Sequence, residues 1–186
     1  TVMVKDIQNG IGSSYPDYLT SMNGVFYFSA TNGINGVELW SSDGTSAGTV
    51  MVKDIYSGSG AGTPSYLMNV GDTLYFIATD GVNGFELWSS DGTGMGTAMI
   101  KDINTTGNSM PKNFTVMEGI LYFVATNGTN GIELWRSDGT ESGTTMIKDI
   151  WVDADSSTPN NLLVVGNTLY FSADDGVHSE ELWKSD

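Results

Sequence analysis

The groups in this sequence able to do acid–base or metal chemistry are 22 Asp and Glu residues and one histidine. Cysteine is absent, which removes thiol nucleophiles, disulfides and Cys-based zinc sites. His178 has no second imidazole for a His-rich metal site, and a Ser-His-Asp triad would have to recruit Ser179 or a similar neighbour by chance. The carboxylates themselves recur in fixed places. Asp43, Asp91, Asp138 and Asp186 each follow a serine, the first three directly before glycine. Asp in such a turn accepts hydrogen bonds from nearby backbone amides. Calcium is the weaker alternative for these four, because the alternating oxygen ligands of an EF-hand loop, ending in a bidentate Glu, are missing. No cofactor is expected. Asp80-Gly81 and Asp174-Asp175-Gly176 are matched elsewhere by Asn32-Gly33 and Asn127-Gly128, which again fits turns better than a charge-dependent metal site. A glycosidase pair is available by residue type, yet catalysis needs a locally broken symmetry and most of these carboxylates repeat.

Aromatic faces supply a second chemistry, stacking on sugar rings. Trp40, Trp88, Trp135 and Trp183 recur in Glu-Leu-Trp and are read as core between sheets, a ring of sugar platforms being the alternative. Trp151 falls outside that recurrence and opens a loop beside Asp153 and Asp155. Those three residues, with Tyr56 and Tyr15 in the equivalent loops, form the candidate ligand-binding set, for a sugar, a cation or a partner protein. The competing reading has Trp151 capping the hydrophobic edge of a sheet.

The elements that must position these residues follow from internal repetition. Glu-Leu-Trp begins at Glu38, Glu86, Glu133 and Glu181, and Lys-Asp-Ile at Lys5, Lys53, Lys101 and Lys148. The only prolines, Pro16, Pro64, Pro111 and Pro159, each precede Glu-Leu-Trp by the same interval. The unit is about 48 residues, with repeats at about 8–55, 56–103, 104–150 and 151–186 in one repeat domain. Within the second unit, Tyr66–Val70, Thr73–Ala78, Phe85–Trp88 and Ala98–Ile103 read as four strands. Gly71-Asp72, Asn23-Gly24, Glu118-Gly119 and Gly166-Asn167 are the pairs that favour primed hairpin turns. The second strand of each unit, such as Leu74-Tyr75-Phe76, is apolar on both faces, as in a sheet covered on both sides. With 24 glycines and no helical stripe, the expected fold is all-β: a β-propeller of four four-stranded antiparallel blades.

Thr1–Ile7 has the sequence of a fourth strand, and the chain stops at Asp186 after a third strand. The last blade is therefore expected to be closed by the N-terminal strand, in a monomeric ring or a dimer of half-rings. The register of the third and fourth strands then sets Ser42 opposite Thr49, Trp40 opposite Met51, and Glu38 opposite Lys53. The same rule pairs Glu86 with Lys101, Glu133 with Lys148, and, on closure, Glu181 with Lys5. Since Thr1 falls within a repeat, the chain is expected to be an excerpt of a longer protein.

A net charge of −15, with seven Lys and Arg, excludes a phosphate-binding patch and hence nucleic acid as a partner. No apolar run suffices for membrane insertion by a helix. Glu-Leu-Trp, then Ser-Asp-Gly-Thr, Gly-Thr and Val-Lys-Asp-Ile together resemble the bacterial ELWxxDGT repeat family, over essentially the whole chain. That resemblance implies a secreted or cell-surface location, a propeller-like structure and no defined enzymatic activity. The Asn-x-Thr sequons at Asn104, Asn113 and Asn127 are then expected to be unmodified. The function expected is a non-catalytic extracellular repeat module, a scaffold binding glycans or other surface proteins through its variable inter-unit loops. A polysaccharide-acting hydrolase and a ligand-free spacer are the alternatives.

Overall fold

The computed structural model describes residues 1–186, all of them in strands, turns and loops, with no helix long and apolar enough to cross a membrane. The first sheet is β1 (Asp17–Met22), β2 (Val25–Thr31), β3 (Val37–Ser42) and β4 (Val50–Lys53). The second is β5 (Ser65–Val70), β6 (Thr73–Ala78), β7 (Glu86–Ser90) and β8 (Ala98–Lys101). The third is β9 (Lys112–Met117), β10 (Ile120–Thr126), β11 (Ile132–Ser137) and β12 (Thr145–Lys148). The fourth has three strands, β13 (Asn160–Val165), β14 (Thr168–Asp174) and β15 (Glu180–Ser185). Each sheet is an antiparallel meander in chain order, as in a single propeller blade. Two compact units contain them, one formed by Thr1–Gly84 and Trp88–Met99, the other by Phe85–Leu87 and Ile100–Asp186.

Local chemistry accounts for the hairpins. Asn23-Gly24 and Glu118-Gly119 have positive φ at both residues, and Gly71 and Gly166 at the first only. These are the two kinds of primed turn whose twist matches paired strands. Within the first unit, Met22, Tyr27 and Leu39 of one sheet pack on Leu74, Phe76, Ala78 and Trp88 of the next. The second unit repeats this with Met117, Tyr122 and Leu134 against Leu169, Phe171 and Ala173. Strand β6 is buried on both faces, with Leu74, Phe76 and Ala78 on the face that meets the first sheet. Trp40, Trp88 and Trp135 are each about 5% exposed; Trp88 belongs to this packing, while Trp40 packs with Phe28, Ala30 and Ile7.

Two expectations fail. Closure of the last blade is not formed: β15 is the edge of a three-stranded sheet and residues 1–7 make no strand. The N-terminal segment is instead held on the first sheet. Ile7 packs with Phe28, Ala30 and Trp40, the Ser14 carbonyl accepts the Thr31 amide, and Lys5 is engaged at the Thr49 carbonyl (2.7 Å) rather than at Glu181.

The Glu–Lys pairs fail as well. Trp40 does face Met51, and Ser42 Oγ lies 2.7 Å from Thr49 Oγ1. Beyond them a bulge at Val52 sets Lys53 opposite Leu39, and Ile147 likewise sets Lys148 opposite Leu134. The extra residue re-aims the lysine. Lys53 Nζ donates to the Thr97 carbonyl of the following sheet (2.7 Å), and Lys101 Nζ to that of Thr144 (2.9 Å).

Candidate functional site

The glutamates released from that register are the most deeply buried charges in the chain. Glu38, Glu86 and Glu133 have no exposure to solvent. Each carboxylate closes over the inter-unit loop that follows its own sheet. Glu38 accepts the amides of Ile55 (2.7 Å), Tyr56 (3.4 Å) and Gly62 (2.8 Å). Glu86 accepts the Ile103 (2.9 Å) and Ser109 (3.0 Å) amides and the Ser109 hydroxyl (2.5 Å). Glu133 treats Ile150 and Ser157 in the same way. A loop between sheets has no ladder to satisfy its amides, so a buried acceptor must do it. The glutamate is a loop clamp.

Burial pushes the Glu38 carboxyl up to about 7, against the downward pull of its three amides and with the charge of Asp54 adding to the rise. Glu86 and Glu133 are raised for the same leading reason. Unfolded, such a group titrates near 4.5, so in the window up to about 7 the folded chain holds a proton that the unfolded chain releases. The stability this contributes is full below that window and is lost as pH rises through it. The turn aspartates act in the opposite sense: Thr45, Thr93 and Thr140 hold Asp43, Asp91 and Asp138 below the usual carboxylate range, and that contribution is lost in stronger acid. Calorimetry is expected to give the highest Tm near about pH 5 and a decline toward about pH 8. Glu38→Gln should flatten the decline; a Tm climbing steadily over this range refutes the assignment.

The turn aspartates are occupied locally. Asp43 Oδ1 accepts the amide (2.8 Å) and hydroxyl (2.7 Å) of Thr45, with the same pattern at Asp91 and Asp138. Asp186 is exposed and directly follows β15. In the loops joining second and third strands, Asn32, Asp80, Asn127 and Asp175 each accept the amides two and three residues ahead. His178 stands where Asn35, Asn83 and Asn130 stand in the other repeats, its Nδ1 2.9 Å from Asp175 Oδ2. No three His, Asp or Glu side chains come together as a metal-binding group.

Trp151 is not outside the repeat. Gln8, Tyr56, Asn104 and Trp151 open their loops and lie over Gly33, Gly81, Gly128 and Gly176 respectively. A Cβ on Gly176 would come within 2.6 Å of the indole. Four unlike side chains share one position, which comparison by residue identity could not reveal. Tyr56 is 38% exposed while resting on its glycines, and Tyr15 is 70% exposed with φ of 46°. Asp153 and Asp155 are exposed in the Trp151 loop. The candidate residues therefore occupy three different loops, with Trp151, Asp153 and Asp155 in one.

The same loop ends at a polar cleft of about 280 Å³, lined by Lys112, Asn113, Thr158, Pro159, Asn160, Asp174 and Glu180. Asp174 and Glu180 face each other across β14 and β15. Thr31, Thr79 and Thr126 hold the position of Asp174 in the other repeats, and Val37, Phe85 and Ile132 that of Glu180. This carboxylate pair was missed in the sequence; its signal was departure from the repeat at two positions that a strand pairing makes adjacent.

No protein-family model matches the chain, and no curated protein matches it. Among solved structures, a puromycin hydrolase variant is similar at 17% identity and a TM-score of 0.60, over 94% of this chain and 27% of that one. The computationally designed protein Ika8 is similar at 14% identity and a TM-score of 0.46, over 90% of this chain and 45% of that one. A thermostable family-43 glycoside hydrolase is similar at 15% and 0.41, over 93% and 68%. This chain thus spans about a quarter of the first protein and under half of the second. The first likeness is one of fold alone, and the other two overlap too loosely to bear on function.

Proposed function

We propose that this chain is a non-catalytic extracellular repeat module of the ELWxxDGT kind, a rigid scaffold that binds glycans of the cell surface at the loop face of its fourth sheet. The observation that carries this reading is the cleft beside the Trp151 loop, where Asp174 and Glu180 break the repeat. Acceptor carboxylates, side-chain amides at Asn113 and Asn160, and the Trp151 indole over Gly176 of the same sheet are the kinds of group that hold sugar hydroxyls and ring faces. The carboxyls that burial pushes upward are the three clamps, sealed beneath loop backbone where no substrate reaches. On a glycan array the chain is expected to retain discrete ligands. Trp151→Ala should weaken the best by about tenfold, an amount equivalent to one good contact, with an unchanged far-UV spectrum. Binding that survives both Trp151→Ala and Asp174→Thr sinks the site.

A polysaccharide-acting hydrolase is the second reading, favoured by the facing carboxylates of that cleft. It predicts new reducing ends from a susceptible polysaccharide, abolished by Asp174→Asn. Retention of intact glycan over the same incubation decides for binding.

A further inference from the structure

The first strand of each sheet, β1, β5, β9 or β13, is an edge strand, and each begins with a bulge. The register of β1 on β2 shifts between Asp17 and Thr20, and that of β5 on β6 between Ser65 and Met68. Strands β9 and β13 repeat the shift. One residue in each bulge has left-handed backbone: Tyr18 (φ 53°), Tyr66 (54°), Asn113 (57°) and Asn161 (56°). A bulge re-aims a side chain, so the residue chosen here decides what the edge displays.

The two residue types are not equivalent in that conformation. Asparagine enters the left-handed region readily, whereas a bulky side chain is strained by it. The asparagines also use their amides within the fold: Asn113 Nδ2 lies 3.3 Å from Asn160 Oδ1, and Asn161 Nδ2 3.4 Å from Ser172 Oγ. Tyr18 and Tyr66 instead set two rings side by side, with centroids 5.5 Å apart and planes at 41°. The Thr20 hydroxyl donates to the Leu67 carbonyl (2.9 Å) and ties together the two edges that carry them. Yet Tyr18 is 38% exposed and Tyr66 56%. Burial does not offset the strain, and strain kept at an exposed side chain points to what that side chain contacts.

We infer that Tyr18 and Tyr66 form a second binding site, a stacking platform for an uncharged oligosaccharide. Strands β1 and β5 carry no lysine or arginine and one carboxylate, Asp17, whose Oδ1 already accepts the Tyr18 amide (2.8 Å). A platform without cations, in a chain of net charge −15, repels acidic polymers. The bulges break the hydrogen-bonding edge at these residues, so an extended peptide is not accommodated there as a further strand. Ring face and phenol hydroxyl remain, the combination that stacks on a sugar ring and bonds its hydroxyls. Two adjoining rings offer more surface than one sugar covers, so chains should bind better than their monosaccharides. Both tyrosines belong to the first compact unit and the Trp151 cleft to the second. The site shares the ligand class of the proposed function but none of its residues, so either can fail alone.

The fold supplies its own test variant, since asparagine holds this position in the third and fourth sheets. Tyr66→Asn should raise Tm by about 2–4 °C as strain is relieved, while weakening binding by about tenfold. Tyr18→Asn is expected to act alike. Titration calorimetry uses uncharged hexasaccharides of glucose, mannose, xylose and galactose, and decaproline, on the native and Trp151→Ala chains. At least one hexasaccharide is expected to bind, with the Tyr66→Asn loss present in both backgrounds. If Trp151→Ala alone changes nothing while Tyr66→Asn still weakens binding, the cleft reading falls and this site stands. Three results overturn the inference: no hexasaccharide whose binding Tyr66→Asn weakens, a lowered Tm for Tyr66→Asn, or decaproline held in place of sugar.

Discussion

Glu86→Ala is expected to lower stability by about 3–5 kcal/mol, the usual penalty for removing one partner from a buried charged hydrogen-bond cluster. The side chain is fully buried, and its loss strands the Ile103 amide and leaves the Ser109 amide and hydroxyl sharing the Phe85 carbonyl alone. Glu86→Gln retains one acceptor oxygen but turns an amide donor toward groups that donate, so it should fall between Ala and the native residue. Urea unfolding followed by tryptophan fluorescence measures all three. A Glu86→Ala midpoint within error of the native one would mean the loop amides find water, and the clamp assignment fails. Glu181→Ala, at the exposed fourth position, serves as the control and should change little in the isolated chain.

The second large effect lies where loop and sheet touch. Gly131 has φ of 69°, and a Cβ there would fall well inside contact distance of the Asp155 carbonyl. Gly131→Ala is expected to cost about 3 kcal/mol or more, from backbone strain plus displacement of the loop. Gly119→Ala isolates the first of these. Its φ is 79°, yet nothing lies within 4 Å of the added carbon, so roughly 1 kcal/mol of left-handed strain is all that should appear. Equal losses at the two sites would show that the loop does not press on Gly131. Ser179, with φ of 59°, occupies the corresponding place in the fourth repeat, where it is exposed.

The four strands of each of the first three sheets, the hairpin turns and the two-sided burial of strands such as β6 were legible in the sequence because each depends on short-range chemistry. Positive φ at Asn23-Gly24 follows from residue type. Alternation at Leu74-Tyr75-Phe76 reports burial wherever the sheet sits. The Ser42–Thr49 contact and the Trp40–Met51 pair follow from counting back along one hairpin. Counting stopped being valid at Val52, since a bulge adds a residue without any compositional mark, and the predicted Glu–Lys pairs dissolved with it.

That this protein is a repeated antiparallel β structure can be read from residue order alone. The roles of Glu38, Trp151 and Asp174 came from contacts that form on folding. Glu38 became a sealed clamp because the next loop folds over it, Trp151 joined Gln8, Tyr56 and Asn104 because all four meet a glycine of the following sheet, and Asp174 met Glu180 across a strand pair. The physical reason is common to all three. Turn and strand preferences are set by a residue and its near neighbours, whereas burial and hydrogen-bond partnership depend on which distant segment arrives, and no local pattern encodes that arrival.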